Sequence, residues 1–218
     1  MNIEIWLLFF SAYLMVTLSP GPNVLLVIKN AVKHGYKAAA ATIIANLCCQ
    51  LLIIISIAFG SGTLLANSPK LFFALKVAGG LYLIYLGLKG LCNKSTQGKV
   101  KIKDTEESAS VTAFSYRKLG KDGFIVSASN PKTVIFLSAF LPQFLSTESS
   151  VTLQFMVMFL TIAFIVTMVH FVYSYIARNL SKKWASVKAN AIFSKVTSCV
   201  FIVFGLAVLS SQRRVLYQ

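Results

Sequence analysis

A chain of 218 residues that is 56% hydrophobic and only 12% charged carries about half the charged share usual in soluble domains, roughly 25%. This composition excludes an ordinary water-soluble enzyme, and the formal net charge of +15 does not indicate a nucleic-acid partner, because the basic residues sit in particular connecting segments rather than along one face. The pattern is that of an all-α polytopic membrane protein, with apolar stretches at about 5–28, 38–60, 70–91, 122–141, 151–176 and 192–211, each near the ~20 residues that cross ~30 Å of hydrocarbon.

The first stretch, Ile5 to Ile28, is interrupted by Ser19-Pro20-Gly21-Pro22-Asn23. A proline has no N–H to donate to the carbonyl four residues earlier, so Pro20 and Pro22 free the C=O groups of Val16 and Leu18 and break the helix. An unsatisfied backbone group in hydrocarbon costs several kcal/mol, so broken backbone at this depth belongs where it faces protein or a water-filled cavity. Trp6 suits the outer interface. The N-terminus lacks a basic segment with a small-residue cleavage site, so the first stretch is read as retained. The span closes in a His34-Gly35-Tyr36 turn, where His34 reads as a loop residue.

The second stretch carries Asn46 and Gln50 one turn apart, on the same helix face. They serve either as interhelical hydrogen-bonding glue or as lining of a polar path. The third contains Lys76, Gly79, Gly80 and Gly87, small residues that suit close helix packing. Residues 93–121 are polar and lysine-rich, with Asp104, Glu106 and Glu107 near the middle, and read as a cytoplasmic linker to which no helix is assigned. Its end, with Phe114, Tyr116 and Leu119 among basic residues, suits the membrane surface.

A second break, Ser129-Asn130-Pro131-Lys132, interrupts the fourth stretch. Here Pro131 frees the carbonyl of Ser127, while Asn130 and Pro131 read as the N-cap and first residue of a new half-helix. Leu141-Pro142-Gln143-Phe144 then turns the chain. The fifth stretch bears Gln154, Thr161, Thr167 and His170 and ends at Tyr173, Tyr175 and Arg178; the sixth opens on Lys195, which snorkels to the surface.

Lys29, Lys33 and Lys37 follow the first stretch, Lys94, Lys99, Lys101, Lys103, Arg117, Lys118 and Lys121 the third, and Arg178, Lys182, Lys183 and Lys188 the fifth, whereas the opposite side has Lys70, Arg213 and Arg214. The positive-inside rule places the three basic loops in the cytoplasm, where lysines meet anionic lipid headgroups, and both termini outside. The proline breaks align with each other, and a Lys-Val start and Gly-Leu end recur in Lys76–Leu88 and Lys195–Leu206. These matches predict six transmembrane helices arranged as two repeats of three, residues 1–92 and 122–218, joined by the 93–121 linker, with helices 1 and 4 broken. An odd number of spans per repeat makes the second inverted, a construction of many secondary transporters.

The segments S-P-G-P-N at 19–23, H-G-Y at 34–36 and above all S-N-P-K-T-V-I-F-L-S-A-F-L-P-Q-F at 129–144 resemble the LysE/RhtB family of bacterial amino-acid exporters, and the similarity runs over essentially the whole chain. The resemblance implies a six-helix inner-membrane carrier that moves amino acids or close derivatives out of the cytoplasm in exchange for protons. Basic-amino-acid exporters of that family tend to carry acidic residues near what are here Gln50 and Phe136. In this chain all six acidic residues, Glu4, Asp104, Glu106, Glu107, Asp122 and Glu148, lie in loops or at span ends. A substrate cation would lack a partner on leaving water, so small neutral substrates such as homoserine, threonine or leucine are expected.

The candidate substrate-binding residues are therefore Pro20, Gly21, Pro22, Asn23, Asn46, Gln50, Asn130, Pro131, Lys132 and Thr133. Lys132 either pairs with the substrate carboxylate or caps freed carbonyls. His170 is the candidate proton-coupling residue, as the intramembrane side chain whose unperturbed pKa lies between pH 5 and 8; its other reading is a neutral, hydrogen-bonded histidine. No metal or cofactor is expected, no nucleotide-binding loop is present, and association into a homo-oligomer is left open. A different class, an intramembrane thiol-disulfide electron carrier as in distant relatives of this superfamily, would need cysteines at the breaks. Cys48, Cys49, Cys92 and Cys199 lie elsewhere, with neither CxxC nor metal-ligand spacing.

Overall fold

The computed structural model describes residues 2–19, 21–67, 69–92, 115–145 and 149–179, and nine positions between 195 and 210. Pro20, most of the linker and much of the sixth apolar stretch lie outside the described residues. The described segments form helices α1 (Ile3–Leu18), α2 (Pro22–His34), α3 (Tyr36–Asn67), α4 (Pro69–Cys92), α5 (Tyr116–Ala128), α6 (Pro131–Phe140), a 3-10 turn at Leu141–Phe144, and α7 (Val151–Asn179); the nine later positions are also helical.

Both breaks fall at the prolines. The pair α1–α2 bends by 59° and the pair formed by α5 with 131–144 bends by 57°. Among the described residues α3 and α7 are long and apolar enough to cross a membrane, and each bent pair also qualifies when taken as one span. Pro22 and Pro131 occupy first-turn positions of α2 and α6, where the absent N–H removes no helical bond and the fixed φ suits the helix. Asn130 caps α6, its side chain accepting from the Lys132 N–H at 3.1 Å.

Helix α5 begins at Tyr116, inside the segment to which the sequence reading assigned no helix. The reason is amphipathic: Leu119 and Gly123 are buried while Arg117, Lys118 and Lys121 face outward, so local polarity concealed a helix held by one packed face. Gly123 sits where α5 meets α3, and a Cβ there would lie 3.1 Å from Thr42 O. Close approach also explains the glycines of α4: a Cβ at Gly87 would lie 2.6 Å from Ser198 O, and one on Gly205 would lie 2.7 Å from Gly80 O.

Helix α7 states the solvent most clearly. Leu153, Met156, Leu160, Phe164, Met168 and Val172 form an exposed apolar stripe, while Gln154, Thr161, His170 and Ser174 are buried. Apolar outside and polar inside is the distribution a bilayer demands. At the α2–α3 junction Gly35 has φ 89°, a region that residues with a Cβ rarely adopt. Arg178 fills the space beside it, donating from Nη1 to Ala31 O at 3.2 Å with its guanidinium 4.8 Å from the centre of the Tyr36 ring.

Candidate functional site

The two breaks come together, and the carbonyls they free find partners. Leu18 O, deprived of its helical donor by Pro22, accepts from the Tyr173 hydroxyl at 2.7 Å. Ser19 O accepts from Lys132 Nζ at 2.8 Å. Val16 O is taken by the Ser19 N–H and Ser127 O by the Asn130 N–H, both at 3.3 Å. Lys132 therefore caps backbone, the second of its two sequence readings, although on Ser19 O rather than on the carbonyls of Val16 or Leu18.

Beside these caps runs a side-chain network that joins five helices. Tyr13 donates from its hydroxyl to Gln50 Oε1 at 2.9 Å, and Gln50 Nε2 donates to Asn46 Oδ1 at 3.0 Å. Asn46 Oδ1 also accepts from Asn23 Nδ2 at 3.0 Å and from the Ser127 hydroxyl at 2.6 Å. Asn23 continues the network to α6, donating to Thr133 Oγ1 at 3.2 Å and accepting from Asn130 Nδ2 at 3.2 Å. Asn46 and Gln50 are thus interhelical glue, and the same two side chains also line a cavity.

That cavity has a volume of about 50 Å³, room for a few water molecules. Its polar wall contains Gly21, Asn23, Asn46, Gln50, Asn130, Lys132, Thr133 and His170; its apolar wall contains Val16, Val24, Phe136, Leu137 and Val166. Of the candidates read from the sequence, Pro22 and Pro131 do not line it; they are exposed and start the half-helices that deliver their neighbours. Pro20 lies outside the described residues.

Chemically the cavity is a meeting of dipoles. The N-terminal ends of α2 and α6 border it, each a partial positive charge, and Lys132 adds a cation. No carboxylate is among the lining residues, so the arrangement favours an anionic group such as a carboxylate. Two lining side chains retain unused capacity: Asn46 Nδ2 and His170 Nδ1 are buried without a hydrogen-bond partner. Each unpaired atom costs about 1–3 kcal/mol, which a ligand supplying the partner would recover. None of the described cysteines lines the cavity.

Sequence reasoning missed Tyr13, Thr17, Ser127 and Tyr173. Thr17 and Ser127 did carry a signal, as hydroxyls within one turn of each break. Tyr173 reads from the sequence only as an aromatic at the end of its stretch, because nothing local announces a partner 155 residues away, and nothing local links Tyr13 to Gln50, 37 residues on.

Residues 14–212 match the family described as LysE type translocator. The chain belongs to that family. This translocator is 28% identical over 214 residues to the homoserine/homoserine lactone efflux protein of Salmonella typhi, covering 98% of this chain and 99% of the relative. It is 33% identical over 137 residues to the leucine efflux protein of Salmonella typhimurium, covering 61% of this chain and 59% of that one. A membrane protein of Vibrio cholerae is 25% identical over 218 residues, covering 97% of the translocator and 100% of the relative. No solved structure matches the translocator.

Proposed function

We propose that the translocator is a secondary exporter that carries small neutral amino acids or close derivatives from cytoplasm to periplasm across the bacterial inner membrane, in exchange for protons. The observation that carries this reading is the gathering of both helix breaks around one cavity that offers helix N-termini, Lys132 and unpaired amide and imidazole nitrogens. An amino acid presents a carboxylate for the positive ends and an ammonium for carbonyl and side-chain acceptors. The apolar wall suits an uncharged side chain, in keeping with relatives named for homoserine and leucine.

Within this reading Gly21, Asn23, Asn46, Gln50, Asn130, Lys132 and Thr133 contact the substrate, Pro20, Pro22 and Pro131 shape the breaks, and His170 moves the proton. The similar bends of 59° and 57° support an inverted repeat of 1–92 and 122–218 about the 93–121 linker. Counterflow into proteoliposomes loaded with a panel of amino acids tests the reading. Exchange of neutral amino acids is expected; competitive lysine transport at comparable affinity would contradict the substrate class.

A further inference from the structure

Phe136 lies one helical turn after Lys132 on α6, so it faces the same way as the lysine. It is the one residue common to two cavities among the described residues. On one side is the cavity of about 50 Å³ at the breaks; on the other is a smaller one of about 10 Å³ whose wall also includes Gly79, Tyr82, Leu83 and Phe140. The Phe136 ring is 4% exposed and therefore forms a partition rather than a surface.

Its position is held from two sides. Tyr13 meets the ring edge-on at 5.7 Å with a 61° interplanar angle, and Phe140 stacks at 4.2 Å and 36°. Tyr13 is in turn fixed by its hydrogen bond to Gln50. The partition is thus anchored to the polar network on one face and to an aromatic column on the other. A substrate whose charged head engages the polar wall has Val16, Val24, Leu137, Val166 and Phe136 left for its side chain.

We propose that Phe136 determines the length of substrate side chain the site accepts, by closing the apolar end of the cavity against the space lined by Gly79, Tyr82, Leu83 and Phe140. The inference rests on the amino-acid export reading. A short side chain ends before the ring; a longer one needs the volume behind it. Removing the ring joins the two spaces and admits longer apolar substrates.

The test is counterflow of the full-length protein in proteoliposomes with threonine, leucine and phenylalanine. Phe136→Ala is expected to raise the phenylalanine-to-threonine rate ratio by roughly tenfold, the lower end of what a single methylene discriminates in an apolar pocket. Phe136→Leu is expected to fall between wild type and Phe136→Ala. It decides the matter by the same criterion if Phe136→Ala is not stably inserted. Leu83→Ala, which enlarges only the second space, is expected to leave the ratio unchanged. An active Phe136→Ala protein with the wild-type ratio, or an equal shift in Leu83→Ala, overturns the proposal while leaving export intact. Wild-type protein that moves none of the panel overturns the export reading and this inference with it.

Discussion

The hydroxyl of Tyr173 donates to the carbonyl of Leu18 at 2.7 Å, joining α7 to the backbone group that Pro22 leaves without a helical partner. Replacing that hydroxyl removes the partner without changing the ring. Tyr173→Phe is expected to lose about 1 kcal/mol, the lower end of the cost of an orphaned acceptor because this bond is only partly buried, seen as a lower melting temperature in detergent. An unchanged melting temperature would mean that water reaches Leu18 O and that the break is wetter than its packing suggests.

Lys132 has two separable attributes, a donor on Ser19 O and a charge. Lys132→Gln keeps a donor and loses the charge, whereas Lys132→Met loses both. If the charge serves the substrate carboxylate, Lys132→Gln is stably inserted but needs about tenfold or more substrate for half-maximal counterflow, matching the worth of a charged hydrogen bond. Equal affinity in Lys132→Gln and wild type would leave the lysine with only its backbone-capping role.

His170 is 2% exposed and keeps Nδ1 without a partner. His170→Gln retains polarity and hydrogen-bonding capacity but cannot carry a proton. Exchange of labelled for unlabelled substrate is expected to survive in this variant, while accumulation driven by a pH gradient is lost. Gradient-driven accumulation at the wild-type level would remove the proton-coupling role from this residue.

The basic segments that follow the first, third and fifth apolar stretches predict that both termini lie outside. A periplasm-only reporter fused to the C-terminus is expected to be active and a cytoplasm-only reporter inactive. The reverse pair of results would invert the export direction assigned to the fold.

Much of the site was legible because its signals are local. Pro22, Pro131 and Asn130 act on backbone within four residues of themselves, so their effects on Leu18, Ser127 and the Lys132 N–H follow from covalent geometry. Asn46 and Gln50 could be placed on one face by the helical repeat, but which of glue and lining applied depended on Asn23 and Ser127 arriving from other helices. Helix ends were less legible. Hydropathy marks where hydrocarbon stops, whereas hydrogen bonding lets α2 run to His34 and α5 start at Tyr116 through lysine- and arginine-bearing turns. The span reading therefore underestimated both helices at their polar ends.

Helix α7 is fastened to the first half of the chain at three heights. Trp6 Nε1 donates to Thr161 Oγ1 at 3.0 Å near one end, Tyr173 holds Leu18 beside the break, and Arg178 holds Ala31 and Tyr36 at the other end. These contacts predict that α1, α2 and α7 keep their mutual packing while substrate is exchanged. A short bifunctional thiol reagent linking Trp6→Cys to Thr161→Cys, in a protein cleared of its own cysteines, should leave exchange intact. Arrest by that link would mean that the fastening itself is the part that opens.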